Sequence, residues 1–126
     1  VEIKQRIKLL DKILKQLREG WVFVEGKRDR EALAFLGIRN VLTISGNLRL
    51  SCDRVAEKGV EKVFVLTDLD RRGNQQAALA RNELEAQSIG AELDTRKTLG
   101  RILNVRFWED AKRRYDELIE EGEKDG

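Results

Sequence analysis

"VFVLTDLDRRGNQ", residues 63–75, decides how the rest of the chain is read. Val63 to Leu66 form an unbroken run of β-favouring apolar residues, as expected of a strand covered on both faces. Thr67 then leads into Asp68 and Asp70, separated only by Leu69, and Arg71, Arg72 and Gly73 follow at once. Carboxylates held that close repel, and fold stability alone gives little reason to keep them. Their value has to come from a partner.

Working outward, short apolar runs alternate with helical patterns. "WVFVEG" (21–26) and "VLTIS" (41–45) read as strands, "KVFVLTD" (62–68) as a third and "AELDT" (91–95) as a fourth. Between them lie helical stretches at 29–37, with Asp29 as the expected N-cap, at 48–58 and at 74–88. Single helices between strands imply parallel crossovers, hence an α/β domain with a four-stranded parallel sheet and helices on both faces. Residues 2–19 form an amphipathic helix with Ile3, Ile7, Leu10, Leu14 and Leu17 on one side. Its other side is basic, which is either a solvated face or one turned to nucleic acid. Trp108, Ala111, Tyr115 and Leu118 recur at helical spacing, so a helix is expected from 107 to 121 within a C-terminal extension starting near 104. Tyr115, Trp21, Trp108 and Cys52 read as packing residues.

The 126 residues suit a single domain over 1–126, with a core at about 21–95. Lys and Arg number 25 against 23 Asp and Glu, so attraction to a polyanion must come from local patches. One such patch is residues 96–114, with seven cations against Glu109 and Asp110. With no histidine, Ser-His and Cys-His catalysis and histidine metal sites are excluded within this chain. A single cysteine excludes an internal disulfide or a cysteine zinc cluster. No apolar run reaches the length of about 20 residues needed to span a bilayer, and a reducing, cytoplasmic setting is expected. The chain begins at Val1 and lacks methionine, which suggests processing or trimming.

In an open parallel sheet, ligands bind beyond the carboxyl ends of the strands, where the winding direction changes. Glu25 follows the first strand there, and Asp68 and Asp70 follow the third. If those strands are neighbours, the three carboxylates converge. All-oxygen donors suit Mg²⁺ or Mn²⁺. Arg71 and Arg72 are placed to neutralise phosphate, Gly73 permits a tight turn before a helix N-terminus, and Lys27 lies beside the site, near phosphate or simply solvated. Ser45 and Gly46 end the second strand at the same edge, as pocket lining or as a plain turn. Asp29 is a cap or supports Lys27 or a metal-bound water. "RKTLGR" (96–101), with Arg96, Lys97 and Arg101, is the other stretch suited to a nucleic-acid backbone, or else a solvated surface loop.

"VFVEGKRDREAL" followed some forty residues later by "VFVLTDLDRRGNQ" resembles a Toprim domain, over about residues 21–95. That domain is shared by topoisomerases, bacterial-type primases and the ribonucleases that mature 5S ribosomal RNA. The wording "EGKRD" and "TDLDRRG" is most similar to small standalone archaeal Toprim proteins. The resemblance implies a three-layer, Rossmann-like Toprim fold, Glu25 as general acid/base, and Asp68 and Asp70 as Mg²⁺ ligands. It implies action on RNA or DNA, with a nuclease as the leading expectation. The alternative is a non-catalytic nucleic-acid-binding subunit of a repair or RNA-processing complex, working with a partner protein or as a homodimer. The sequence departs from some nuclease members in one respect: Arg71 and Arg72 stand where a further acid would complete a two-metal site.

Overall fold

The computed structural model describes residues 2–125. Strands β1 (Trp21–Val24), β2 (Val41–Thr43), β3 (Lys62–Val65) and β4 (Gly90–Glu92) form one all-parallel sheet in the order β2-β1-β3-β4. The first and third strands are therefore neighbours, with Trp21 opposite Val63 and Phe23 opposite Val65. From β1 the chain winds outward to β2; from β3 it winds the other way to β4. The switch point lies between β1 and β3.

Alternation along the strands divides the core into two layers. Val22, Val24, Phe64 and Leu66 face one side, where α1 (Ile3–Glu19), α2 (Lys27–Ala34), α5 (Asp94–Leu103) and α6 (Ala111–Asp125) supply Leu10, Leu14, Leu17, Leu33, Leu99 and Leu118. Phe23, Val63 and Val65 face the other, under α3 (Leu48–Glu57) and α4 (Arg71–Ala86), which supply Cys52, Val55, Ala77, Ala80 and Leu84. The N-terminal helix and the C-terminal extension thus share a core with the sheet. Each large apolar side chain fully buried here contributes roughly 1.5–3 kcal/mol. Among the described residues, no helix is long and apolar enough to cross a membrane.

Several boundaries differ from expectation. Asp29 is not the N-cap of α2: Gly26 holds that position, and Asp29, two residues inside the helix, accepts a hydrogen bond from the Gly26 amide at 3.2 Å. Asp70 caps α4, which starts at Arg71, three residues earlier than periodicity predicts. Strand β4 ends at Glu92, because the Glu92 carboxylate takes the Thr95 amide at 2.9 Å and its hydroxyl as well, so α5 can start at once. Residues 96–101 are consequently part of a helix and not a surface loop. The expected helix at 107–121 divides into a 3-10 turn, Trp108–Asp110, and α6.

Candidate active site

The buried strands β1 and β3 deliver their last residues to one place at the carboxyl edge. Glu25, next after β1, accepts the backbone N–H of Asp68 through Oε2 at 2.8 Å. Glu25 is only 14% exposed at its side chain, and its other oxygen, Oε1, lies 4.0 Å from Nε of Arg72, an exposed residue on the first turn of α4. Ordinary strand pairing thus fixes the spacing between the glutamate and the aspartate loop.

The loop itself is tied down at nearly every residue. The Thr67 hydroxyl donates to the Gly73 carbonyl at 2.7 Å, and the Gly73 amide donates to Asp70 Oδ1 at 2.7 Å. The Leu69 amide donates to the Arg106 carbonyl at 2.7 Å, and the Trp108 amide donates to Asp68 Oδ1 at 3.1 Å. Gly73 serves close approach more than a turn: a Cβ there would stand 1.7 Å from the Asp68 carbonyl oxygen. Its N–H is taken by Asp70 and so is not free for a phosphate.

Arg96 shows the largest departure from expectation. It is 3% exposed, and its guanidinium donates to the carbonyls of Thr67 and Asp68 and to Asn74 Oδ1. The Thr67 carbonyl also receives the Trp108 indole N–H at 2.9 Å. Arg96 is therefore a clamp on the aspartate loop from the inside. Lys97 and Arg101, on the same helix, are exposed and form no ion pair among the described residues. Lys27 is exposed and pairs with Glu31 at 4.0 Å; Arg71 is exposed with no ion pair among the described residues. Ser45 and Gly46 are exposed at the same edge, with the Ser45 amide on the Glu25 carbonyl.

Charge gathers where the loop is buried. Burial raises the Asp68 carboxyl to about 7, and the neighbouring charges of Asp29, Glu25 and Asp70 add to the rise against the Trp108 amide. Asp29 is raised as well, first by burial and then by Glu25 and Glu109, against the Gly26 amide. Burial lowers the Arg96 guanidinium, while Glu25, Asp68 and Asp70 hold it charged.

The chain is 34% identical over 100 residues to a UPF0292 protein of Thermococcus onnurineus, an alignment covering 78% of this chain and 75% of that one. The chain belongs to the UPF0292 family. A UPF0292 protein of Pyrococcus abyssi is 32% identical over 100 residues, covering 78% and 76% of the two chains. One of Methanocaldococcus jannaschii is 32% identical over 85 residues, covering 66% of each. Among solved structures, a protein from Aquifex aeolicus shares the fold with a TM-score of 0.69 and 28% identity, over 79% of this chain and 95% of that one. No family model matches the chain.

What this UPF0292 site can hold follows from its donors. Among the described residues, no three acidic or cysteine side chains are gathered closely enough to hold a metal ion by themselves. Glu25, Asp68 and Asp70 each commit one oxygen to a backbone amide. Their other oxygens form no hydrogen bond among the described residues. This all-oxygen set fits a cation of the magnesium type, which takes one or two carboxylates and keeps its waters. Thr67, Asn74 and Trp108 complete the site, and sequence reasoning missed their part in it. A buried indole seeks a partner for its N–H, and that was the available signal for Trp108.

Proposed function

We propose that this chain is a Toprim-type enzyme that acts on nucleic-acid phosphodiesters with Mg²⁺ or Mn²⁺, as a nuclease. The observation that carries the reading is the 2.8 Å hydrogen bond joining Glu25 to the Asp68 amide at the switch point of the sheet. It brings an acid from each of two central strands to the edge where such sheets take ligands. Asp68 and Asp70 are the residues that would hold the cation, whose contribution would be charge stabilisation at the phosphate and a more acidic bound water. Glu25, oriented through Oε2 and open at Oε1, would exchange a proton with the attacking water or the leaving oxygen. Arg72, 4.0 Å from Glu25, and the exposed Arg71 would hold phosphate oxygens. The single buried Cys52 suits a reducing, cytoplasmic setting.

A specific observation favours a second reading, a non-catalytic nucleic-acid-binding subunit. Asp70 acts as a helix cap and Asp68 receives the Trp108 amide, so both acids have structural work to do. Labelled RNA and DNA incubated with the protein, with and without Mg²⁺ or Mn²⁺, separate the two. Metal-dependent cleavage that Asp68→Ala abolishes supports the enzyme. Binding without cleavage of any substrate supports the subunit.

A further inference from the structure

The charged side chains of this chain are managed in two different ways. On α6, Lys112, Arg113, Arg114 and Lys124 each pair with an acid three or four residues away on the same helix. On the outer face of α1, Lys4, Lys8, Lys12 and Lys15 are all exposed, and none forms an ion pair among the described residues. Lys4, Lys8 and Lys12 stand four residues apart, an arrangement that weakens a helix by repulsion. The first turn of α1 holds no acid, its N-cap being Glu2. Asp11 stands three residues after Lys8 and four before Lys15, and Glu19 four after Lys15, yet neither forms an ion pair with these lysines among the described residues. As with the paired aspartates, the repulsion finds its use in a partner, here one of opposite sign.

The stripe continues across a groove onto α5. Arg6, Leu9, Thr98, Arg101 and Ile102 line a depression of about 220 Å³, and beside it Leu9, Lys12, Gln16, Asp94 and Thr98 border another of about 250 Å³. Arg6 is fixed there by a 2.6 Å hydrogen bond to the Ile102 carbonyl. Exposed Lys97 and Arg101 lie on the same helix as Arg96, which clamps the aspartate loop, so α5 physically joins the cationic surface to the acidic edge. Lys4 to Lys12 spans about 12 Å of helix, and a nucleic-acid duplex carries one charge per about 1.7 Å of its axis. No aromatic side chain lines either depression; the exposed Phe35 and Phe107 lie outside them. Single strands are gripped by stacking on aromatic rings, which this surface lacks.

We propose that the outer face of α1 and the α1–α5 groove dock the phosphate backbone of a double-stranded nucleic acid. The inference rests on the nucleic-acid reading above and adds to it a surface and a strandedness. It is tested by fluorescence anisotropy of labelled duplex and single-stranded DNA and RNA in EDTA, over a series of salt concentrations, so that cleavage plays no part. Lys4→Ala/Lys8→Ala/Lys12→Ala should lower the slope of log K against log salt by roughly 2.7, and duplex affinity at about 0.1 M salt by a few hundredfold. This variant should melt no lower than wild type, since like-charge repulsion is removed. Lys112→Ala/Arg113→Ala/Lys124→Ala should leave the slope unchanged. An unchanged slope in the α1 variant, with loss on neutralising Arg71 and Arg72 instead, overturns the surface and leaves the nucleic-acid reading standing. Single strands bound as tightly as duplex, with the same slope, overturn the strandedness. No binding of any of these probes by wild type overturns this inference and the nucleic-acid reading together.

Discussion

Replacing Arg96 by methionine keeps a long side chain in α5 and removes every hydrogen bond the guanidinium makes. Three acceptors lose a donor: the carbonyls of Thr67 and Asp68, and Asn74 Oδ1. They are not equally exposed to the loss. The Thr67 carbonyl keeps the Trp108 indole, and Asn74 lies at the surface and can turn to water. The Asp68 carbonyl faces Gly73 closely and has no second donor among the described residues. Hydrogen bonds to charged groups contribute about 1.5–3 kcal/mol, and part of that is returned when a buried cation no longer has to be desolvated. A net loss of about 3 kcal/mol follows, which for a chain of this size lowers Tm by roughly 10 °C. Urea denaturation should show a lower midpoint with an unchanged m-value. Arg96→Lys should recover little, because an ammonium cannot present the planar fork that spans these acceptors. Had Arg96 been a phosphate contact, the methionine variant would keep its stability within about 0.5 kcal/mol and lose about one unit of the salt slope of nucleic-acid binding. That result would refute the clamp.

Three further outcomes are expected. With metal chelated, the protonated Asp68 carboxyl favours the folded state, because its folded value of about 7 lies above the ordinary 3.8. Its contribution is full below about pH 4 and is lost as pH rises through about 7. Asp68→Asn should remove that slope and gain about 1–2 kcal/mol over wild type at pH 8, after discounting for solvent screening of a half-buried group; parallel pH profiles in urea titrations would count against it. Gly73→Ala should destabilise by about 3 kcal/mol or more, since its Cβ would meet the Asp68 carbonyl at 1.7 Å, and a melting curve matching wild type would show that the loop shifts freely. Mg²⁺ or Mn²⁺ should raise Tm by binding the folded state, and Asp68→Asn/Asp70→Asn should abolish the rise; an equal rise in both would place the ion elsewhere.

Much of the sheet was legible because its signals are local. Unbroken apolar runs at 22–24, followed by Glu25, and at 63–66, followed through Thr67 by Asp68, mark both central strands, and their alternation with helices marks a parallel sheet. The meeting of Glu25 with the Asp68 loop follows from those runs because the two strands are neighbours. Long-range partners were not legible. Arg96 reads as a surface cation in a basic stretch, and nothing nearby in sequence announces that it turns inward to carbonyls 28 and 29 residues away. Glu92 has the same character: its capture of Thr95 ends β4 and starts α5, an exchange that strand propensity in "AELDT" does not foresee. Asp29 differs from the expected N-cap for another reason. Aspartate is favoured both at the N-cap and in the first helical turn, and only coordinates separate the two positions.

In the proposed enzyme, Glu25 would move a proton at a phosphodiester beside a cation held by Asp68 and Asp70. Glu25→Gln tests it most directly. The amide keeps the size and the Oε-type acceptor that receives the Asp68 N–H, so the loop should stay in place, while charge and proton exchange are lost. Cleavage of labelled RNA and DNA in Mg²⁺ and Mn²⁺ is followed alongside binding of the same substrates. The expected result is metal-dependent cleavage by wild type, a fall of roughly a hundredfold or more in Glu25→Gln, and binding at least as tight as wild type. Cleavage by Glu25→Gln at the wild-type rate, or no metal-dependent cleavage by wild type of any substrate it binds, would contradict it.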